Sequence, residues 1–325
     1  MKKIGWGIVG LGNIAHKFAE DLLLISDAQL IAVASSNGER AKLFATKFTA
    51  QRYYDSYASL YEDSAVEIVY IASLHPHHMP MAIDAMQKGK AVLCEKPLGL
   101  NAKQVKSLIV TAETNKVFLM EALWTRFLPS FEHTMELIQQ GAVGKVRYIQ
   151  ASFSFNGLDR PKTSRVFNPE KAGGALLDIG IYPLFLAYQL LGKPKEIKAS
   201  AIRTEEGVDL QIAFILTYDT SMAVLYASFS HDKDMPATIC GELGEIYLPS
   251  RWHETTQIQV VKGGHSERKT FDKKGRGYGY EIEESHNCIR EGKFQSSKWS
   301  WQNSLELVQL MDTIRNQCKI HYPGE

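Results

Sequence analysis

Three groups of residues in this 325-residue chain have types and spacings that suit chemistry. Lys96, the middle of Glu95-Lys96-Pro97, follows the apolar run Ala91-Val92-Leu93. A lysine at the carboxyl edge of a parallel sheet stands where open α/β folds hold their ligands, so it can touch a cofactor and a substrate together. Gly10-Leu11-Gly12-Asn13-Ile14-Ala15 follows the β-branched run from Ile4 to Val9 and opens a helical pattern through Phe18, Leu22 and Ile25. That is Gly-x-Gly-x-x-Ala in the context of a dinucleotide turn. Gly10 makes the turn, Gly12 lets backbone approach a pyrophosphate, Ala15 permits close helix-to-strand packing, and the helix amides from Asn13 and Ile14 onward face the phosphates. Asp178 and Tyr182, in the apolar stretch after Gly173-Gly174, are four apart, so a helix presents them on one face. In isolation the lysine reads as a solvated strand end and the Asp-Tyr pair as a buried polar network. Together with a dinucleotide turn they favour catalysis.

The second strand, Leu30 to Ala34, ends in Ser35-Ser36-Asn37, with Arg40 one helical turn on. An NAD site usually carries a carboxylate here, which would repel a 2′-phosphate. Two hydroxyls and a guanidinium suit NADP, with NAD possible, although Ser-Ser-Asn also makes an ordinary turn and N-cap. Ala72, Ser73, His75 and His78 lie where a strand end should pass the nicotinamide half, and Glu95, Lys96, Trp124 and Arg126 complete the expected cofactor contacts. The run Ser73-Leu74-His75-Pro76-His77-His78 invites a metal, but no acidic or cysteine partner sits at ligand spacing, so none is expected.

These residues need a scaffold, and strands alternate with helices up to Met120, which argues for a doubly wound parallel sheet. After residue 122 the rhythm changes. A helix from about Pro129 to Gln140 precedes strand-like runs at Lys145 to Phe155, Glu196 to Arg203, Val208 to Tyr218, Met222 to Ser230, Thr238 to Cys240, Glu245 to Leu248 and Gln257 to Val261. The expectation is a Rossmann domain over 1–122 and, over 123–325, an α+β domain with a mainly antiparallel open sheet. Residues 210–218 alternate between a clearly apolar face and one still rich in Ala213 and Ile215, which suggests a covered or self-associating sheet. Tyr278 to Ile289 and Trp301 to Arg315 read as amphipathic helices of that second domain.

With 37 Lys+Arg against 36 Asp+Glu, nothing points to nucleic acid or an anionic membrane. No apolar run is expected to reach the roughly 20 residues that span a bilayer. Cys94, Cys240, Cys288 and Cys318 form no Cys-x-x-Cys pair, and the start runs directly into a strand, so a cytoplasmic protein with reduced thiols is expected.

The Gly10–Ala15 turn, Glu95-Lys96-Pro97, Met120-Glu121-Ala122-Leu123-Trp124-Thr125-Arg126-Phe127 and Gly173 to Tyr182 together resemble the glucose-fructose oxidoreductase and inositol dehydrogenase family over nearly the whole chain. Tyr182, where many members carry histidine, is similar to the branch of dimeric dihydrodiol dehydrogenases, also described as NADP-dependent D-xylose dehydrogenases. The resemblance implies that Tyr182 is the acid/base and Lys96 its partner. Oxidising an alcohol sends a hydride to nicotinamide and the hydroxyl proton to a base. A tyrosine with a reference pKa of about 10 needs an ammonium nearby to serve as that base. Asp178 would orient the substrate or the pair. That branch commonly has arginine where this chain has Ser36, which shifts any phosphate recognition to Ser35, Asn37 and Arg40. Trp124, Phe153, Phe155, Arg165 and Trp252, with Asp178 and Tyr182, are the expected pocket, an aromatic wall suited to a sugar or cyclic diol, with sheet packing or surface stacking the alternative for Phe153, Phe155, Arg165 and Trp252. The implied activity is NAD(P)-dependent oxidation or reduction of such a substrate by a homodimer or higher oligomer formed through the second sheet. Other sugars, anhydrosugars and inositols are alternative substrates, and a non-catalytic NADP sensor is the alternative of another class.

Overall fold

A computed structural model describes residues 2–232 and 234–323. The alternation of apolar runs and helical patterns builds β1 (Ile4–Val9), α1 (Asn13–Leu22), β2 (Ala28–Ala34), α2 (Gly38–Phe48), β3 (Arg52–Tyr54), α3 (Tyr57–Glu62), β4 (Ile68–Ile71), α4 (His78–Gln87), β5 (Ala91–Glu95), α5 (Ala102–Asn115) and β6 (Leu119–Ala122). The strands form one parallel sheet in the order β3-β2-β1-β4-β5-β6. Every residue of β1, β4, β5 and β6 is buried, because helices cover both faces of such a sheet. The order reverses between β1 and β4, so the connections leaving these neighbours part and open a crevice at their carboxyl ends. Gly10, Ser73, Lys96 and Trp124 all follow strands at that edge.

The second sheet comprises β7 (Val146–Ser154), β8 (Glu196–Arg203), β9 (Asp209–Thr217), β10 (Met222–Ser228), β11 (Ala237–Gly241), β12 (Gly244–Leu248), β13 (Gln257–Lys262) and β14 (His265–Thr270). Its order is β14-β13-β12-β11-β7-β10-β9-β8, antiparallel except where β7 lies beside β10. Here α6 (Pro129–Gln139) precedes the sheet, and α7 (Ile181–Leu191), entered through a π-helical turn at Leu176–Gly180, packs on one face of it. Ile149, Ile212, Phe214, Leu216, Ala223 and Leu225 are buried on that face. The opposite face exposes Ile215 and Met222 and leaves Tyr148, Val224 and Tyr226 half-buried. β14 is absent from the sequence reading because all six of its residues are exposed, so no apolar alternation marks it.

Two differences from expectation concern the helices. Pro169–Leu191 does have the length and hydropathy to cross a bilayer, but 83% of its apolar window is buried, as in the core helix of a globular fold. The chain also divides differently: one unit is Met1–Phe127 with Lys273–Leu305, the other Leu128–Asp272 with Glu306–Glu325. Thus α8 (Gly279–Arg290) and the start of α9 (Trp301–Gln317), read from sequence as parts of the second domain, belong to the first unit.

Hydrogen bonds explain that return. The Asp21 carboxylate, buried on α1, accepts from the backbone amides of Arg276, Gly277 and Tyr278 at 2.8, 2.9 and 2.8 Å. The Trp6 indole of β1 donates to His286 at 2.9 Å, and Trp301 donates to the Leu119 carbonyl at 2.9 Å. Buried polar groups need such partners, and here they lie more than 150 residues away in sequence.

Candidate active site

In the first unit the glycine turn has the geometry its residue types imply. Gly10 has φ +80°, and a Cβ there would lie 2.5 Å from backbone atoms of Ala72 and Ser73, so only glycine allows β1 to leave this close to β4. Gly12 differs, since a Cβ built on it meets nothing within 4 Å. Gly12 also caps α1 without any side-chain hydrogen bond, and the first turn of α1 carries no acidic residue. Its amides therefore face an open cradle, which suits a pyrophosphate. Ala15 is fully buried, as its packing role requires.

At the end of β2, Ser35 is buried and its hydroxyl accepts from the Asn37 amide at 3.2 Å, while Asn37 Oδ1 caps α2 by accepting from the Arg40 amide at 2.9 Å. These two side chains shape the turn, and Ser36 and Arg40 stay exposed. Beside them runs a groove of about 460 Å³ lined by Asn37, Arg40 and Glu39 together with His16, Leu43, Phe44 and Lys47. Sequence reading did not include Lys47 or His16, whose Nζ and Nδ1 lie 3.4 Å apart. Burial and the Lys47 charge hold the His16 imidazole below its usual pKa. An anion would pair with the Arg40 and Lys47 charges that line this groove.

The strand-end loops of β4 and β5 are tied by His78. It is fully buried, with Nδ1 2.8 Å from the Pro97 carbonyl and Nε2 3.1 Å from the Ser73 carbonyl. Burial lowers its pKa to about 4, so the ring is neutral and its single N–H donates to one of the two carbonyls. His78, expected to contact the cofactor, packs between Ser73 and the loop after Lys96. His75 is half-buried with its ring 5.6 Å from that of His78, and among the described residues no group of three or more His, Cys, Asp or Glu could hold a metal. The Glu95 carboxylate accepts a hydrogen bond from the buried Tyr70 hydroxyl.

Lys96 is half-buried and precedes a cis peptide bond to Pro97. One residue further, the Leu98 amide donates to Glu121 Oε1 at 2.8 Å, while the other oxygen of Glu121 accepts from the Trp299 indole at 3.0 Å and the Ser304 hydroxyl at 2.6 Å. Burial pushes the Glu121 carboxyl up in pKa, and these donors and the Lys96 ammonium pull it back. Trp124 stacks on Tyr278 at 4.9 Å with Lys273 Nζ 5.5 Å from its ring centre. Arg126 is buried and its Nε donates to the Lys298 carbonyl at 3.0 Å.

The second unit gathers most of its expected residues. Asp178, in the π-helical turn, forms an ion pair with Arg165 at 3.0 Å. Tyr182 lies in the first turn of α7, with its ring 5.5 Å from Phe153 of β7 and 5.3 Å from His253. Phe155 goes elsewhere: its ring packs on Phe229 at 4.9 Å under the Arg160 guanidinium. Trp252 is only 2% exposed and its indole donates to the Ser152 carbonyl at 3.0 Å, which anchors its loop.

Asp209, unnoticed in sequence, seats this helix. Its Oδ2 accepts from the Leu176 amide at 2.6 Å. Gly174 has φ +129°, and a Cβ on it would come within 2.0 Å of Asp209 Oδ1, so the double glycine makes room for the carboxyl. Burial raises the pKa of Asp209 to about 7 despite the amides that favour its anion.

Comparison with known proteins follows the two units. Residues 4–123 match a family model described as GFO_IDH_MocA, an oxidoreductase family with an NAD-binding Rossmann fold, and residues 131–247 match the GFO/IDH/MocA C-terminal domain. A trans-1,2-dihydrobenzene-1,2-diol dehydrogenase from Xenopus tropicalis is 35% identical over 98% of this chain and 99% of its own. Among solved structures, a 3-ketoreductase from Actinomadura kijaniata in complex with NADP and TDP-benzene has a similar fold, with TM-score 0.88 and 24% identity over 99% of both chains. An aldose-aldose oxidoreductase from Caulobacter crescentus complexed with glycerol has TM-score 0.89 and 22% identity over 98% of each chain.

The folded state binds a proton at Asp209 that the unfolded chain has released between its ordinary carboxyl pKa, near 4, and about 7. The stabilisation is thus fully present below the unfolded value and is lost as pH rises through about 7. Relative to the neutral Asp209→Asn, the natural chain should lose on the order of a few kcal/mol between those limits. Urea unfolding at a series of pH values measures this, and a difference that stays constant with pH would refute it.

Proposed function

Since the chain belongs to the GFO/IDH/MocA oxidoreductase family, we propose that it is an NADP-preferring dehydrogenase or reductase acting on a hydroxyl of a vicinal diol or sugar. The observation that carries this reading is the phenol of Tyr182, held among the rings of Phe153 and His253 one helical turn from the ion-paired Asp178. A pure dinucleotide sensor needs neither that phenol nor Lys96. The full-length likeness to a dihydrodiol dehydrogenase favours a cyclic diol or related sugar.

When bound, the nicotinamide cofactor supplies the hydride acceptor, or the donor in the reverse direction. Gly12 and the α1 amides receive its pyrophosphate, and Arg40 and Lys47 receive a 2′-phosphate. Tyr182 takes the substrate hydroxyl proton during oxidation and returns it during reduction. Lys96 supplies the positive charge that favours the phenolate, and Asp178, held by Arg165, orients the substrate.

Tyr182→Phe and Lys96→Met should each lower kcat by roughly 100-fold or more, while Tyr182→Phe keeps NADPH affinity in a fluorescence titration. Near wild-type kcat in both would reject these roles. If the natural chain binds NADPH tightly but turns over no pentose, hexose, inositol, anhydrosugar or dihydrodiol, the sensor is the better reading. Arg40→Ala and Lys47→Ala should raise KM for NADPH about tenfold and leave KM for NADH nearly unchanged, since each removes a charge-assisted contact to phosphate. Equal effects on both cofactors would place the phosphate elsewhere.

We also propose that two copies associate through the outer face of the second sheet, where Ile215 and Met222 are exposed. Light scattering should give at least a dimer at micromolar concentration. Ile215→Lys should dissociate it, and a natural chain already monomeric would count against the interface.

A further inference from the structure

The groove beside Arg40 lies between α1 and α2 of the first unit, and its two ends are joined by an unusual contact between an imidazole and an ammonium. His16 stands one turn into α1, where its amide donates to the Gly12 carbonyl at 3.2 Å, so the helix that opens the glycine cradle also carries the imidazole. The ring packs on Phe44 at 4.7 Å and on Phe48 at 5.3 Å, at interplanar angles of 57° and 60°. Two aromatic side chains of α2 thus hold it half-buried and limit its rotation. Nδ1 lies 3.4 Å from Lys47 Nζ, and that ammonium lies 5.0 Å from the centre of the Phe48 ring.

The chemistry of that contact has one solution. An ammonium carries donors and no acceptor, so Nδ1 is the acceptor, the ring proton sits on Nε2 and the imidazole is neutral. Burial and the Lys47 charge, which hold the His16 pKa down, favour this form. Glu20 acts against them, but its carboxylate is engaged by the Arg276 guanidinium at 2.7 Å. The other polar groups of the groove do not hold the lysine: Asn37 Oδ1 accepts from the Arg40 amide, and among the described residues Glu39 forms no ion pair with Lys47. A lysine head group is otherwise a mobile point charge on a flexible stem. His16 therefore supplies the hydrogen bond that gives this one a direction.

We infer that His16 is a positioning residue for cofactor choice, holding the Lys47 ammonium in the groove beside Arg40 so that it meets the 2′-phosphate of NADP. The inference rests on the reading in which Arg40 and Lys47 receive that phosphate. His16 acts through Lys47 and need not touch the phosphate itself. Ordering a flexible cation before the ligand arrives lowers the entropy cost of the contact, and the gain goes only to ligands that carry the phosphate.

The test measures dissociation constants by calorimetry on the full chain at about pH 8, where a histidine is neutral. Adenosine 2′,5′-bisphosphate and adenosine 5′-monophosphate serve as probes, since they differ by the 2′-phosphate alone. The variants are His16→Phe, which keeps a ring against Phe44 and Phe48 and removes the acceptor, His16→Gln, which restores an acceptor oxygen, Lys47→Ala, and the His16→Phe, Lys47→Ala double variant. His16→Phe should weaken the bisphosphate roughly fivefold and the monophosphate less than about twofold, as loss of one hydrogen bond implies, and His16→Gln should recover part of that loss. With Lys47 already replaced, His16→Phe should have no further effect, because two residues that act on one contact are not additive. Equal weakening of both probes, or the same loss in the Lys47→Ala background, would overturn the positioning role. If His16→Phe does not fold, His16→Leu is judged by the same criteria. A Lys47→Ala chain that still binds the bisphosphate as the natural chain does would overturn the underlying reading along with this one. A loss in Lys47→Ala with none in His16→Phe would overturn only the inference about His16. No preference of the natural chain for the bisphosphate would overturn both.

Discussion

The Glu121 carboxyl, withdrawn from water, accepts hydrogen bonds from the Leu98 amide, the Trp299 indole and the Ser304 hydroxyl. One donor lies in the loop that follows Lys96, and the other two lie near residue 300, so a single carboxyl fixes the segment carrying the candidate lysine to the distant part of the chain that completes the first unit. Leaving a buried carboxyl with even one of these partners missing is expensive. Its neighbours follow the same logic. His78 sits between the carbonyls of the loops after β4 and β5 and donates to one of them, and Asp21 gathers three successive amides ahead of α8.

In the second unit the equivalent constraint is the contact of Asp209 with the start of the helix that carries Asp178 and Tyr182. Gly174 is required there for two independent reasons, its positive φ and the lack of room beside the Asp209 carboxyl. A strand residue thus sets where the helix begins, and the helix sets where the phenol lies. The π-helical turn between them is a rare element of the kind that often marks functional sites.

Much of this was legible from short-range pattern. The glycine turn, the parallel alternation and the Asp178–Tyr182 spacing each depend on residues within one or two elements, and local periodicity records them. Ser35 and Asn37 carried two readings in sequence, phosphate contact and turn, and their side-chain bonds are those of the turn. What escaped was long-range. Asp209 lies 33 residues from the amide it caps, and Lys47 lies 31 from the His16 it approaches. His253 sits in a three-residue turn with no periodicity, about 70 residues from Tyr182, and nothing local distinguishes it from a solvated histidine. Phe155 and Trp252 carried two readings for a related reason: an aromatic residue near a strand end reads the same whether it lines a pocket or packs a loop.

The return of residues 273–305 to the first unit bears on how the protein is made. The ribosome releases β1 through β6 long before the segment that supplies partners for Trp6, Asp21 and Glu121. Until then the nascent sheet holds buried carboxyls and an indole without their partners, while the whole of the second sheet is synthesised. The nucleotide-binding half is therefore the first to begin and among the last to finish, which makes it the part of the chain most dependent on protection during synthesis and the poorest candidate for expression as an isolated N-terminal fragment.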